Sequence, residues 1–382
     1  MSTARGWSPG LLRPEGRFKL SVARWRWIGS RDLADVSVMM IEVRCREEPV
    51  ARNREWGYWT EQKLEMLAEY LPAFTKAAKS AGATLYLDLF AGAAANTSRT
   101  TGRPIDGSPR IALSTAPAFT KVVLFELSTQ AAKLGADLRA AFPGRDLTVY
   151  SGDCNQTIGA ALLNLTSYNH AATFALIDQY AAEVEWSTLE KLAAFKKPRR
   201  DGTRYKVELW LLLAHGMLPR GLSASDYDTW DAFVARVDAL YGSRDWEPIY
   251  TAWAEETLAP ADFRSELVNL MRWRLERVLG YASTHTFEMK NTNGSPIYTM
   301  IFATDNYTGD KIMRHIYGKA AEKRPKMQGD AAALMQEKRE NKSGVFGLFP
   351  AIAKVIGPDK LYEHEPPVLP YGMTKDEDDE TD

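Results

Sequence analysis

The chain is expected to adopt an α/β, Rossmann-like fold, a mostly parallel sheet closed by a C-terminal antiparallel hairpin. Three observations predict it. Apolar runs alternate with helical segments from residue 60 to 216, the order that builds a parallel sheet with right-handed crossovers. Acids end or closely follow the first four of those runs: Asp88, Glu126, Asp153 and Asp178. Two later runs, Tyr281–Lys290 and Ile297–Thr304, flank Asn291-Thr292-Asn293-Gly294, a hairpin signal.

The elements follow in order. Residues 60–80 place Leu64, Leu67, Tyr70, Leu71 and Phe74 at helical spacing, with Thr60 as a cap and Gly82 as a stop. Leu85 to Phe90 is a buried strand running into Ala91-Gly92. Asn96 to Asp106 is polar loop, and Gly107-Ser108-Pro109 starts a helix with Ser as cap and Pro in the first turn. Strands at 121–126, 147–150, 173–178 and 207–216 alternate with helices at 129–142, 155–166 and 187–196. A helical insertion occupies 222–260, and a helix at 262–280 precedes the hairpin. Five parallel strands closed by such a hairpin match the sheet of class I methyltransferases.

Composition bounds the rest. The chain has 382 residues. It reads as one enlarged domain at 55–320 between a basic N-terminal extension, 1–54, and a C-terminal extension, 321–382. Hydrophobic residues at 45% and charged residues at 25% exclude fibrous repeats and wholesale disorder. Two cysteines, Cys45 and Cys154, are too few for a disulfide scaffold or a zinc ribbon. The net charge of −1 hides an uneven layout. Residues 1–31 are Arg-rich with Glu15 as their acid, and Asp376–Asp382 are acidic apart from Thr381. The N-terminus has no secretory apolar stretch. It reads as a disordered basic arm, a targeting segment, or an extension upstream of a start at Met39 or Met40. No run approaches the roughly 20 apolar residues of a membrane span, so a cytoplasmic protein is expected. In the tail, 330–341 is a polar helix, Val345 to Ile356 an apolar patch and 366–370 Pro-rich, a short docking segment before disorder.

In an open parallel sheet, ligands sit beyond the carboxyl ends of the strands, near the point where strand order reverses. The acids there each have a use for S-adenosylmethionine. Asp88, with Phe90 and Gly92, forms the first turn and orders its loop. Glu126 can accept both ribose hydroxyls, and Asp153, with Asn155 beyond it, suits the adenine amino group. Asp178 sits beside the transferable methyl. The alternative, that these acids are helix caps or plain loop residues, stays open for each one singly. There is no Walker sequence, and Ala93, Ala94 and Ala95 after Gly92 weaken a dinucleotide fingerprint.

These residues carry a resemblance. Trp59-Thr60 with Lys63-Leu64, LYLDLFAGAAANTS, GSPRIAL at 107–113, VLFELS at 123–128, SGDCNQTI at 151–158 and ALIDQYAAEVEWSTL at 175–189 resemble the three-Cys-motif partner proteins, over roughly residues 55–320. Gly242 with Trp246, and Gly309-Asp310-Lys311-Ile312-Met313 after the hairpin, also fit. The resemblance implies a class I methyltransferase fold and a companion protein carrying three cysteines, often encoded nearby in bacteria. It implies no substrate. Two departures stand out. The family's Phe-Ala-Gly-Pro-Gly loop is here Phe90-Ala91-Gly92-Ala93-Ala94, with strain if Ala94 must take positive φ. Its Asp-Pro-aromatic-Gly motif is here Asp178-Gln179-Tyr180-Ala181.

As catalytic candidates, Asp178 and the Gln179 carbonyl hold a nucleophile, and Tyr180 stacks on a planar group or packs in the core. Gly107-Ser108-Pro109 is an anion clamp or a plain cap. Lys196, Lys197, Arg199, Arg200 and Arg204 suggest a nucleic-acid substrate or a solvated turn at the far end of the sheet. Cys154 is a reactive thiol or a small buried one. Three functions compete: a methyltransferase, a catalytically idle partner that keeps the fold, and a metal-dependent nucleic-acid hydrolase.

Overall fold

The computed structural model describes residues 55–198, 202–203, 205–216, 218, 227–343 and 362–374. The Arg-rich arm, Arg199, Arg200 and Arg204, the Val345–Ile356 patch and the acidic end lie outside the described residues.

The first helix, α1 (Tyr58–Ala77), buries Leu67, Tyr70 and Leu71 fully. Its N-cap is Gly57, with no side-chain cap bond, so Thr60 lies inside the first turn and does not cap it. β1 (Thr84–Asp88) is buried throughout. The stretch read as polar loop folds into a small antiparallel hairpin, β2 (Ala95–Thr97) with β3 (Pro104–Asp106). Its strands are too short and too polar for a period-2 signal to show. α2 (Ser108–Ser114) is capped by Gly107, and Ser108 is its first residue.

The alternation then runs as the sequence predicts. β4 (Lys121–Glu126), α3 (Ser128–Ala141), β5 (Leu147–Ser151), α4 (Cys154–Asn164), β6 (Ala172–Ile177), α5 (Trp186–Ala194) and β7 (Glu208–Leu213) follow one another. The insertion holds α6 (Tyr227–Tyr241) and α7 (Glu247–Ala254). α8 (Pro260–Arg277) leads to β8 (Ser283–Lys290) and β9 (Pro296–Thr304). α9 (Tyr307–Ser343) is one helix passing through residue 320, and the expected 330–341 helix is its last part.

The sheet order is β5-β4-β1-β6-β7-β9-β8. β5, β4, β1, β6 and β7 are parallel, and β9 pairs antiparallel with both β7 and β8. This is a Rossmann-like sheet, in the strand order of class I methyltransferases. The chain runs outward from β1 to β4 and β5, then crosses back to β6. Strand order therefore reverses between β1 and β6, the place where open sheets bind ligands.

Each sheet face buries its own core. On one, Phe174, Trp210 and Phe302 pack against Leu67, Tyr70 and Tyr317 from α1 and α9. On the other, Val123, Ile177 and Leu211 pack against Ile158, Leu189, Val237 and Leu270 from α4, α5, α6 and α8. Residues 362–374 lie over α8: Val368 N donates to Asn269 Oδ1 at 3.0 Å and Tyr371 N to Glu266 Oε2 at 3.2 Å.

Candidate functional site

The site is built on the loop after β1. Leu89 N donates to Leu176 O at 3.0 Å and Ala91 N to Phe125 O at 3.0 Å, tying the loop to both neighbouring strands. Gly92 takes φ +60°, which admits glycine at no steric cost. Its N–H donates to Glu126 Oε2 at 2.6 Å. Gly107 N donates to Ala94 O at 2.7 Å, and a Cβ at Gly107 would stand 2.2 Å from Ala93 O. That close approach, not an anion, accounts for the glycine before Ser108. Among the described residues the one non-glycine at positive φ is Glu256, so Ala94 carries no left-handed strain.

Asp88 is fully buried behind this loop. Its carboxylate accepts from Tyr86 Oη at 3.1 Å and Phe90 N at 3.3 Å. Burial pushes its pKa up to about 7; the nearby charge of Asp178 adds to the rise, while the Ser108, Tyr86 and Phe90 hydrogen bonds oppose it. Asp88 shapes the loop and forms no part of the cleft wall.

The cleft itself has a volume of about 670 Å³. Phe90, Gly92, Glu126, Asp153, Asn155, Asp178 and Tyr180 all line it. The sequence-predicted residues thus converge, with Asp88 and Gln179 immediately behind. Glu126 Oε1 accepts from Leu127 N at 2.9 Å. With Gly92 on Oε2, the carboxylate uses two of its about four acceptor positions among the described residues and keeps the others. Asp153 caps α4, its Oδ1 accepting from Asn155 N at 2.9 Å. It is both the cap and a cleft wall. The Asn155 side chain straps the next loop: Nδ2 donates to Glu183 O at 2.8 Å, and Oδ1 accepts from Glu185 N at 3.0 Å.

Gln179 is buried and committed to scaffold. Its Nε2 donates to Leu212 O at 3.0 Å, and its Oε1 accepts from Glu183 N and Val184 N at 2.8 and 2.9 Å. These bonds fix the loop that proline stiffens in the resembled family. Tyr180, 76% exposed, is not packed in the core. Cys154 is buried, and burial pushes its thiol up to about 12, so it is not a reactive group.

Two features escape the sequence reading. Lys63 on α1 forms an ion pair with Asp178 Oδ2. Ala235, Arg236 and Ala239 on α6 form a wall of the cleft. For Lys63 a signal existed: it sits four and seven residues before the buried Leu67 and Tyr70, on the apolar stripe of α1. Lys196 lies at the far end of the strands, as the sequence order requires, beside Tyr70 and Glu208. Among the described residues, no three His, Cys, Asp or Glu side chains are placed to hold a metal ion. Nor is any helix there long and apolar enough to cross a membrane.

No protein-family model and no curated protein matches the chain. Among solved structures it is similar to M. jannaschii TYW2 in complex with AdoMet, with 9% identity, a TM-score of 0.30, and coverage of 65% of this chain and 76% of that one. A likeness that distant says nothing of the site. The methyltransferase-like fold rests on the strand order of this chain, and the site on its own geometry.

Proposed function

We propose that the protein is an S-adenosylmethionine-dependent methyltransferase, with the cofactor at the carboxyl ends of β1, β4, β5 and β6. The observation that carries this is the convergence of Glu126, Asp153 and Asp178 from successive strand ends on one cleft. Its 670 Å³ lies within the roughly 300–1,000 Å³ range of small-molecule sites. The residues present fit the cofactor. Glu126 keeps acceptor positions for a ribose diol, and Asp153 retains an oxygen for an amino group. Phe90, Phe125 and Leu127 supply apolar wall. The lining carries Glu126, Asp153, Asp178, Glu183 and Glu185 against Arg236. That excess of acid suits a cationic sulfonium and disfavours a phosphate chain inside the cleft.

When bound, the cofactor supplies an electrophilic methyl group, and the protein's work is alignment. Asp178 orients a nitrogen or oxygen acceptor, and Gln179, buried behind it, holds the loop rather than the acceptor. Tyr180, exposed at the rim, offers a ring on which a planar acceptor such as a nucleic-acid base stacks.

Calorimetric titration with S-adenosylmethionine tests this. Binding is expected, and none at millimolar concentration overturns the reading. Glu126→Ala is expected to weaken binding by about 1.5–3 kcal/mol, through loss of both ribose hydrogen bonds.

A second reading, an idle partner that retains the fold, is favoured by one observation: Lys63 already occupies one oxygen of Asp178. Cofactor binding without methyl transfer to RNA, DNA or protein fractions would select it. The three-Cys-motif partner resemblance adds a companion protein with three cysteines under either reading, and co-purification tests that.

A further inference from the structure

We propose that Lys63 is a positioning residue that sets the charge at the acceptor end of the cleft, an inference that rests on the methyltransferase reading above. Lys63 projects from α1, and its side chain is only 7% exposed. A buried ammonium is costly unless paired. Its partner is Asp178, which is 22% exposed and faces the cleft. The pair is therefore built into the site and is not surface decoration.

The pairing divides the two oxygens of Asp178. Oδ2 takes Lys63. Oδ1 has no protein partner among the described residues and stays available. On the same sheet face, the ring of Tyr298 lies 6.0 Å from Lys63 Nζ. Its hydroxyl is buried without a hydrogen-bond partner. The remaining oxygen of Asp178, on the cleft wall, is the place for one more polar group. With Lys63 in place, the pair presents acceptor lone pairs at no net charge. That combination suits an uncharged N–H or O–H of an acceptor. It suits neither a free ammonium, which needs a bare carboxylate, nor a phosphate.

The charge balance is measurable without knowing the acceptor. S-adenosylmethionine is a sulfonium, and its demethylated product, S-adenosylhomocysteine, is a neutral thioether. Both are titrated by calorimetry into the full chain at about pH 8, above the ordinary carboxylate range. Lys63→Met leaves Asp178 bare, and the ratio of sulfonium to thioether affinity is expected to rise roughly tenfold over wild type. Lys63→Arg keeps the cation and should stay within about twofold of wild type. Asp178→Asn leaves Lys63 alone and should move the ratio the opposite way. It serves as the deciding variant if Lys63→Met fails to fold. An unchanged ratio in a folded Lys63→Met, or in Asp178→Asn, overturns the proposal. Wild type that binds neither compound overturns the underlying function instead, and the proposal with it.

Discussion

Two acids buried in this molecule carry the same perturbation at opposite ends of the sheet. Asp88 closes β1 at its carboxyl end, and Glu208 opens β7 at its amino end. Burial pushes each up to about 7. Their surroundings separate them. Asp88 stands behind a loop that forms one wall of a 670 Å³ cleft. Glu208 borders a hollow of about 90 Å³ and is enclosed by its own neighbours. Tyr70 Oη donates to it at 2.5 Å and Thr304 Oγ1 at 2.9 Å. A Cβ at Gly309 would stand 2.4 Å from its Oε1. A raised carboxyl pKa reports burial; a function needs room for a ligand as well.

The comparison breaks most readily at Glu208. Glu208→Ala leaves the Tyr70 and Thr304 hydroxyls buried without their acceptor, and is expected to destabilise the fold by about 2–4 kcal/mol. S-adenosylmethionine affinity of the folded protein should stay within about twofold. Denaturant unfolding and calorimetry on one preparation check both. Lost binding with intact stability would move the site to the wrong end of the sheet.

A smaller effect separates the two acids by pH. Their folded pKa values lie above the ordinary 3.8 and 4.5. Each then contributes fully below its unfolded pKa and loses that contribution as pH rises through about 7. The share of these two acids in the unfolding free energy should therefore fall between about pH 4 and 7, against the rise contributed by His215 and His285, which burial holds down to about 4; Asp88→Asn or Glu208→Gln should each remove a falling share on the order of 1–3 kcal/mol. Cofactor affinity should change its pH profile in Asp88→Asn alone, because only Asp88 holds the loop that carries Gly92. A changed profile in Glu208→Gln would erase the distinction.

The same contrast explains what the sequence made legible. Strand ends are readable because a parallel sheet forces apolar runs to stop where the ligand edge begins; the positions of Glu126 and Asp178 follow from that rule alone. Phe90 and Gly92 followed from chain continuity. What escaped was set by tertiary contact. The Lys63–Asp178 pair joins residues 115 apart in sequence, and nothing local to either announces the other. The α6 wall comes from an insertion whose helices are readable but whose docking side is not. The β2–β3 hairpin was hidden by its shortness. Gln179 gives no local sign of its role, and its buried side chain fixes the loop by three hydrogen bonds.

The smallest effect is expected at the cleft rim. Tyr180 is 76% exposed, and among the described residues only its backbone N–H is engaged, donating to Glu183 Oε2 at 2.8 Å. Tyr180→Ala keeps that bond and removes a ring already in solvent. It should change stability by less than about 0.5 kcal/mol and cofactor affinity by less than about twofold, as thermal unfolding and calorimetry will show. An exposed tyrosine of this size contributes little to folding where it stands, so its use lies in what it meets. Stacking on a base contributes roughly 1–3 kcal/mol per ring, and that loss should appear only when a planar acceptor is titrated into the cofactor-loaded protein. A stability loss above about 1 kcal/mol would mean that the ring packs as Glu208 does. The rim would then belong to the scaffold, and the cleft would end at Asp178.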